Sequence, residues 1–389
     1  MRNLNLTQEQ VTKILQDMVQ RKEGVSLVMK IALEAIMRAE REIHNLTHDD
    51  VSNGYRFRKT FGRGKLLELQ VPRSRYGAFY PVILALLKDQ EEEIRNLAFL
   101  LYGEGLTTEQ VSKIFKEFYG KSYSTSQISR MFDYARQEVQ TWLERPLERY
   151  YPMIYIDAIF IPVRRGESVS KEAFYTVLGV KPDLTREVLA IFNMPTENAS
   201  GWTEVFRSLK ARGVEEIGLV ISDHIPGIED ALGRVFGGTE LQLCVVHFKR
   251  NIKNKVKPKD RPEINMWLKD IFRTGDNTYT RTKAWKKWEW FCDYWGKKYP
   301  SIKRMKSNPV YRQYFTYLEY DYRIQSMIYS TNWIERLNRD YKRVTRMRGA
   351  LPNPESAMLL LGYVAMNKSA YQWKVTNLKY ETEKFRWEE

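Results

Sequence analysis

Apolar positions change their period repeatedly along the chain, and each change predicts a different kind of element. Through VSLVMKIALEAIMRAEREI, in the first 45 residues, they recur at helical spacing. The next stretch, NGYRFRKTFGRGKLLELQVPRSR, is punctuated by glycines, and the alternation in LLELQV predicts a small two-stranded ribbon. Helical spacing returns over 88–145. There GEGLTTEQVSKIFKEFYG follows a Gly break with Thr107 as N-cap and Gln110 three residues on. YGKSYS then turns the chain, and Ser124 with Gln127 has capping-box spacing ahead of ISRMFDYARQEVQTWLER. Two short helices joined by a tight turn, the second opening with Thr125, Ser126, Gln127 and Arg130, have the outline of a helix-turn-helix. Such pairs also exist for packing alone.

After Arg145-Pro146 and Tyr151-Pro152 the texture becomes strand-like. MIYIDAIFIPVRR, EAFYTVLGVKP and EVLAIFNMP read as three strands with short connections. The helix WTEVFRSLKARG, the strand IGLVISDH, the helix GIEDALGRVF and a fifth strand LQLCVVHF follow. The order βββαβαβ is that of a ribonuclease H-like sheet rather than a Rossmann unit. No G-x-G-x-x-G follows a strand and no G-x-x-x-x-G-K-[ST] loop occurs, so nucleotide-cofactor folds lack support. From 250 to 325 the pattern is helical, basic and aromatic, with Trp267, Trp285, Trp288, Trp290 and Trp295 close together. STNWIERLNRDYKRVTR then starts a new helix. The expected organisation is a helical region with a basic ribbon (1–87), a helix-turn-helix domain (88–148), the first part of an α/β ribonuclease H-like domain (149–249), an all-α insertion (250–325), and the second part of the α/β domain (326–389). The tryptophans read chiefly as core of the insertion; a minority has the alternative of stacking on unpaired bases.

Composition narrows the function classes. Of 389 residues 43% are hydrophobic and 13% aromatic, enough for a sizeable core. The densest apolar stretch, around Met358 to Met366, is half the length of a membrane span. The polar opening MRNLNLTQEQ lacks a secretory h-region, and Cys244 and Cys292 are the only cysteines, so a cytoplasmic location is expected. Lys plus Arg number 63 against 48 Asp plus Glu, a net +15, which points to a polyanionic partner. The excess is clustered. Ser52 to Pro81 holds seven basic residues, among them Arg56, Arg58, Arg63, Arg73 and Arg75, against Glu68 alone. Lys249 to Arg261 holds seven more, beginning with Lys249 and Arg250, and a third group includes Arg339, Lys342 and Arg346. One such run is most simply a solvated surface; three together suggest one that tracks phosphates.

Three acids carry the candidate chemistry. Asp157 interrupts an apolar strand, where a buried carboxylate costs several kcal/mol unless offset. Asp223 ends another strand, where ligand sites of α/β sheets form. In a ribonuclease H-like order these strands are neighbours, so the two carboxylates converge and repel, and a divalent cation relieves the repulsion. Glu335 flanks a helical core stripe of Ile334, Leu337, Tyr341 and Val344, with Arg339, Lys342 and Arg346 on an adjoining face. Alone it reads as the partner of an Asn332 N-cap in a capping box; with the other two acids it reads as a third ligand. Oxygen ligands without a His or Cys cage suit two Mg²⁺ ions, or Mn²⁺, Asp157 bridging both and Asp223 and Glu335 each binding one. Cys244 and His247 form a C-x-x-H pair beginning in the fifth strand. With no further ligands at zinc spacing, they read as structural or auxiliary. His224 is a candidate contact to a scissile phosphate.

These blocks resemble the Mutator-like family of insertion-sequence transposases in the DDE superfamily, over nearly the whole chain. NGYRFRKT and VPRSRYGAFYP are similar to its N-terminal blocks; LYGEGLTTEQVSKIF with YGKSYSTSQIS resembles its helix-turn-helix. WLERPLERYYPMIYIDAIFIPVR, LKARGVEEIGLVISDHIPGIEDAL and STNWIERLNRDYKRVTR resemble the blocks of its two aspartates and its glutamate, and LQLCVVHFKRN carries its C-x-x-H. The resemblance implies Asp157, Asp223 and Glu335 as catalytic triad, an all-helical insertion before the Glu, and binding to inverted repeats at an element's ends. His224 stands where many relatives have Gly. The expected partners are double-stranded DNA, as repeats and as target, and a second copy of the chain in a dimer or larger assembly, with no membrane. Two alternatives remain: a nuclease of the same fold that cuts without joining, and a non-catalytic DNA-binding regulator.

Overall fold

The computed structural model describes residues 9, 12, 13, 16, 24–62, 65–76, 79–119, 123–194, 199–346 and 348–388, and the chain divides into two compact units, 1–135 and 136–389. Arg63 of the first basic run and the turn residues 120–122 lie outside the described set.

In the first unit, helix α1 (Gly24–His48) lies on a two-stranded antiparallel ribbon, β1 (Ser52–Gly62) and β2 (Lys65–Ser74). The alternation in LLELQV buries Leu67, Leu69 and Val71 against Leu33, Met37 and Leu84. Helices α2 (Val82–Gly103), α3 (Thr108–Tyr119) and α4 (Thr125–Met131) follow. Both capping boxes form: the Thr107 and Ser124 hydroxyls accept from the Gln110 and Gln127 amides, and those side chains accept in return. The single helix expected beyond Ser124 is broken. Phe132 leaves helical register to bury its ring against Phe99 and Tyr102, and α5 (Asp133–Glu144), which from residue 136 onward belongs to the second unit, starts afresh.

The second unit is mixed α/β. Strands β3 (Tyr150–Arg165), β4 (Ser168–Val180), β5 (Arg186–Asn193), β6 (Glu216–Ser222) and β7 (Glu240–Leu243) form one sheet in the order β5-β4-β3-β6-β7. The first three are an antiparallel meander, while β6 and β7 run parallel to β3. Gly166, at φ +60, makes the tight two-residue turn between β3 and β4. Helices α6 (Ala199–Ala211) and α7 (Ile228–Val235) link β5, β6 and β7.

The fifth strand is shorter than its apolar run implies. It stops at Leu243, and Cys244 caps helix α8 (Val245–Asn254), so Cys244 and His247 belong to a helix start and not to a strand. The turn is fixed from outside the segment: Cys244 N donates to Ser222 O and Val245 N to Tyr329 O. From there to Ile328 the chain is helical, through α9 (Arg261–Ile271), α10 (Arg281–Gly296), α11 (Pro300–Met305), a 3₁₀ segment Pro309–Glu319 and α12 (Gln325–Ile328). Trp288 and Trp295 are buried there, Trp267 and Trp285 pack beside them, and Trp290 is exposed.

Helix α13 (Asn332–Arg346) then returns to β3, and α14 (Pro354–Met366) packs on β5 and β3. Gly362 lets α14 approach α5, since a Cβ there would fall 2.4 Å from a Val139 methyl. Among the described residues no helix is long and apolar enough to cross a membrane.

Candidate active site

Three elements bring the acids together. Ile156 of β3 pairs with Ser222, the last residue of β6, so Asp157 and Asp223 follow side by side on parallel neighbours. Glu335 comes from the first turn of α13, the end of a helix whose backbone N–H groups favour an anion. The start of that helix is held by aromatic packing: Trp333 stacks on Tyr155, with the Arg186 guanidinium over its ring. All three acids line one cleft, together with His224, His247, Asn338 and the cations Arg250, Arg339 and Lys342.

Each acid has a different environment. Asp157 is buried, 6% exposed, and its Oδ1 accepts from Ala158 N at 2.9 Å while Oδ2 accepts from Asn338 Nδ2 at 2.8 Å. Burial, then the neighbouring charges of Asp223 and Glu335, push its pKa up to about 7. Asp223 is half-buried and accepts from the His247 imidazole at Oδ1. That bond, with Cys244 beside it, pushes His247 up to about 10, so the ring is a cation donating to the carboxylate. The capping box considered for Glu335 does not form. Asn332 is already helical, and the Glu335 amide bonds the carbonyl of Thr331. Among the described residues no hydrogen bond engages the Glu335 carboxylate, so it is free to face the cleft.

Asp223, Cys244 and His247 bring ligand-type atoms within 4.8 Å of one another. A closed zinc site takes four ligands. Here the imidazole donates to the carboxylate and the buried Cys244 Sγ receives the Thr331 hydroxyl at 3.6 Å, an internally satisfied group. The all-oxygen set of Asp157, Asp223 and Glu335 fits a hard divalent cation better. Acids close enough to raise the pKa of Asp157, beside the buried and unpartnered Asn338 Oδ1, are the kind of donor set that suits such a cation.

The remaining candidates fall in several places. Arg250, Arg339 and Lys342 border the acids, whereas Arg346 is exposed farther along α13. Lys249 is half-buried beside the Phe272 ring, and desolvation with Lys253 and Lys269 nearby lowers it to about 8; an anion there would raise it again. His224 is exposed at the rim of the cleft. In the first unit Arg56, Arg73 and Arg75 are exposed on the ribbon and Arg58 is half-buried. Thr125, Ser126, Gln127 and Arg130 are exposed on α4, although Gln127 is engaged in the cap and Arg130 Nε donates to Ser126 O at 3.4 Å. Asn338 and Phe160 are among the cleft residues that escape the sequence reading. Asn338 had a signal, a polar residue at a core position of the stripe through Ile334 and Tyr341. Phe160, 64% exposed at the rim, had none, because an apolar residue in an apolar strand reads as core.

The family model described as "Transposase, Mutator family" matches residues 3–376. The probable transposase for insertion sequence element ISRM3-like of Sinorhizobium fredii (strain NBRC 101917 / NGR234) is 32% identical over 360 residues, 91% of this chain and 89% of the relative. The transposase for insertion sequence element IS256 in transposon Tn4001 of Staphylococcus aureus is 31% identical over 339 residues, 84% of this chain and 83% of the relative. Among solved structures, the Drosophila P element transposase strand transfer complex matches at 10% identity over 72% of this chain and 93% of that one, with a TM-score of 0.33, a likeness too slight to bear on the fold.

Proposed function

This chain belongs to the Mutator family of transposases, and from that premise we propose that it binds the inverted repeats of an insertion sequence and cuts and rejoins DNA with Asp157, Asp223 and Glu335. The observation that carries this is the meeting of three carboxylates, from sequence positions far apart, in one cleft bordered by Arg250, Arg339 and Lys342. The strand order, an antiparallel meander followed by two parallel strands, supports a ribonuclease H-like reading of the sheet. The double capping of α3 and α4 supports a helix-turn-helix that reads the repeats.

Asp157, Asp223 and Glu335 would hold two Mg²⁺ ions, with Mn²⁺ able to substitute. Bound there, such ions supply Lewis-acid stabilisation to the attacking and leaving oxygens of a phosphodiester displacement. The chain's own groups do the rest. Arg250, Arg339 and Lys342 hold the phosphate backbone across the acids, and His247 fixes the orientation of Asp223. Water first attacks a phosphodiester, leaving a 5′-phosphate and freeing a 3′-hydroxyl. That hydroxyl then attacks a phosphodiester of another strand, forming one P–O bond as one breaks. No covalent link to the protein is needed. Holding two element ends for this exchange calls for at least a dimer.

The test is a product analysis on duplexes carrying the inverted repeats that flank the gene, with Mg²⁺ or with EDTA. Nicks at the repeat tips and joined strands, both absent in EDTA, are the expected result. Cleavage that never yields joined strands would reduce the chain to a nuclease. Tight binding without metal-dependent chemistry would make it a DNA-binding regulator.

Salt gives a second check. A surface that neutralises six or more phosphates loses affinity about 10³-fold or more between ~50 and ~200 mM salt. Filter binding or anisotropy should show that fall on repeat DNA. A flat response would contradict the role given to the basic surface.

A further inference from the structure

We propose that Asn338 is a positioning residue that fixes the Asp157 carboxylate to the helix carrying Glu335 and so sets the geometry of the divalent-cation site. The inference rests on reading the three acids as that site. Asn338 lies one turn beyond Glu335 on α13, within the buried stripe of Ile334, Leu337, Tyr341 and Val344. The helix packs this stripe on β3, so an apolar side chain would serve packing better there. A buried amide costs free energy unless its polar atoms are matched. Only half of this one is: Nδ2 donates to Asp157 Oδ2 at 2.8 Å, while Oδ1 is buried with no partner. A polar group kept at a packing position with an unmatched atom indicates that the one bond it makes is the reason for its presence.

That bond has a definite mechanical consequence. Asp157 Oδ1 is held by its own strand through Ala158 N, and Oδ2 by the facing helix through Asn338. Two donors from two elements fix the plane of the carboxylate and tie β3 to α13. Each oxygen keeps a lone pair for a cation. The amide orientation is dictated, because turning it would set Oδ1 against a carboxylate oxygen. Neutrality also matters: a Lys or Arg at this position would compete with the cation for Asp157, whereas an amide orients the ligand and leaves its charge available. The cations of the helix that line the cleft, Arg339 and Lys342, lie instead on its exposed side.

The test uses the full-length protein and Asn338→Leu, which keeps the branched side-chain shape and removes both the donor and the orphan acceptor. Mn²⁺ is titrated against wild type and variant, with free ion followed by electron paramagnetic resonance. The relevant sites are those that Asp223→Asn abolishes. Thermal unfolding and repeat-DNA binding, both in EDTA, are measured alongside. Asn338→Leu should weaken Mn²⁺ binding roughly 10–100-fold, the usual effect of removing a residue that orients a ligand. Its melting temperature and metal-free DNA affinity should stay near wild type. Wild-type Mn²⁺ affinity in the variant, with or without a lower melting temperature, would overturn the proposal and leave Asn338 a packing residue. If Asn338→Leu does not fold, Asn338→Ser, too short to reach Asp157, carries the same reading. Should wild type itself lack Mn²⁺ sites that Asp223→Asn removes, the cation-site reading fails and the proposal falls with it.

Discussion

Asp157→Asn abolishes strand cleavage and at the same time makes the metal-free protein harder to unfold. The loss of rate should reach ~10³-fold or more, about 4 kcal/mol of transition-state stabilisation, because the residue touches both other acids electrostatically and bridges strand and helix. The gain in stability follows from the same crowding. Burial and two neighbouring carboxylates raise the Asp157 pKa from 3.8 to about 7 in the folded state. A carboxyl raised on folding binds its proton more tightly when folded, so its contribution to stability is present at low pH. It is lost as pH rises from about 4 to about 7. At pH 8 the folded wild type carries that strain in full, and an amide does not. At ~1.4 kcal/mol per pKa unit, discounted for local relaxation, the variant should gain on the order of 2 kcal/mol. Mg²⁺ should reverse the ranking, stabilising wild type and leaving Asp157→Asn unmoved. Thermal unfolding at pH 8 in EDTA and in Mg²⁺ reads both effects. A variant less stable than wild type in EDTA would show that Asp157 is not under electrostatic strain.

Trp288→Ala should be among the most destabilising single changes in the second unit. Trp288 is fully buried, with its ring 5.5 Å from Phe248, 5.3 Å from Phe291 and 6.0 Å from Tyr311. Truncating such a side chain removes its burial and leaves a cavity, a cost of about 3–5 kcal/mol. The damage reaches the site, because Phe248 follows His247 on α8 and the partner of Asp223 loses its backing. Trp290, two residues on and 64% exposed, is the control: Trp290→Ala should change stability by less than ~0.5 kcal/mol. Urea denaturation distinguishes the two. Equal midpoints for both variants would mean that the aromatic cluster is not the core of the helical segment.

Most of the architecture was readable from pattern. Strands β3 to β6 come from runs rich in Ile, Val, Tyr and Phe, and the helices between them from apolar residues at helical spacing. What escaped were places where distant parts of the chain decide a local choice. Val245 and Val246 favour strands, yet they are helical because Cys244 N and Val245 N bond Ser222 and Tyr329. Phe132 breaks a helical pattern to reach Phe99 and Tyr102. At the site, Asp157 could be picked out as a charge at an apolar position, Asp223 as the end of a strand and Glu335 only in company with the other two. The contact of His247 with Asp223 could not, because it depends on where β7 ends. Asn338 was legible in principle as a polar residue in a buried stripe, but its partner lies 181 residues away.

The central claim is that three carboxylates act as one unit, and single-turnover nicking of repeat DNA by a mutant set tests it most directly. Asp157→Asn, Asp223→Asn, Glu335→Gln and the triple variant should all fall to one common floor, since groups that act together are strongly non-additive. A single variant that keeps near wild-type rate, or losses that multiply independently down to the triple, would contradict it.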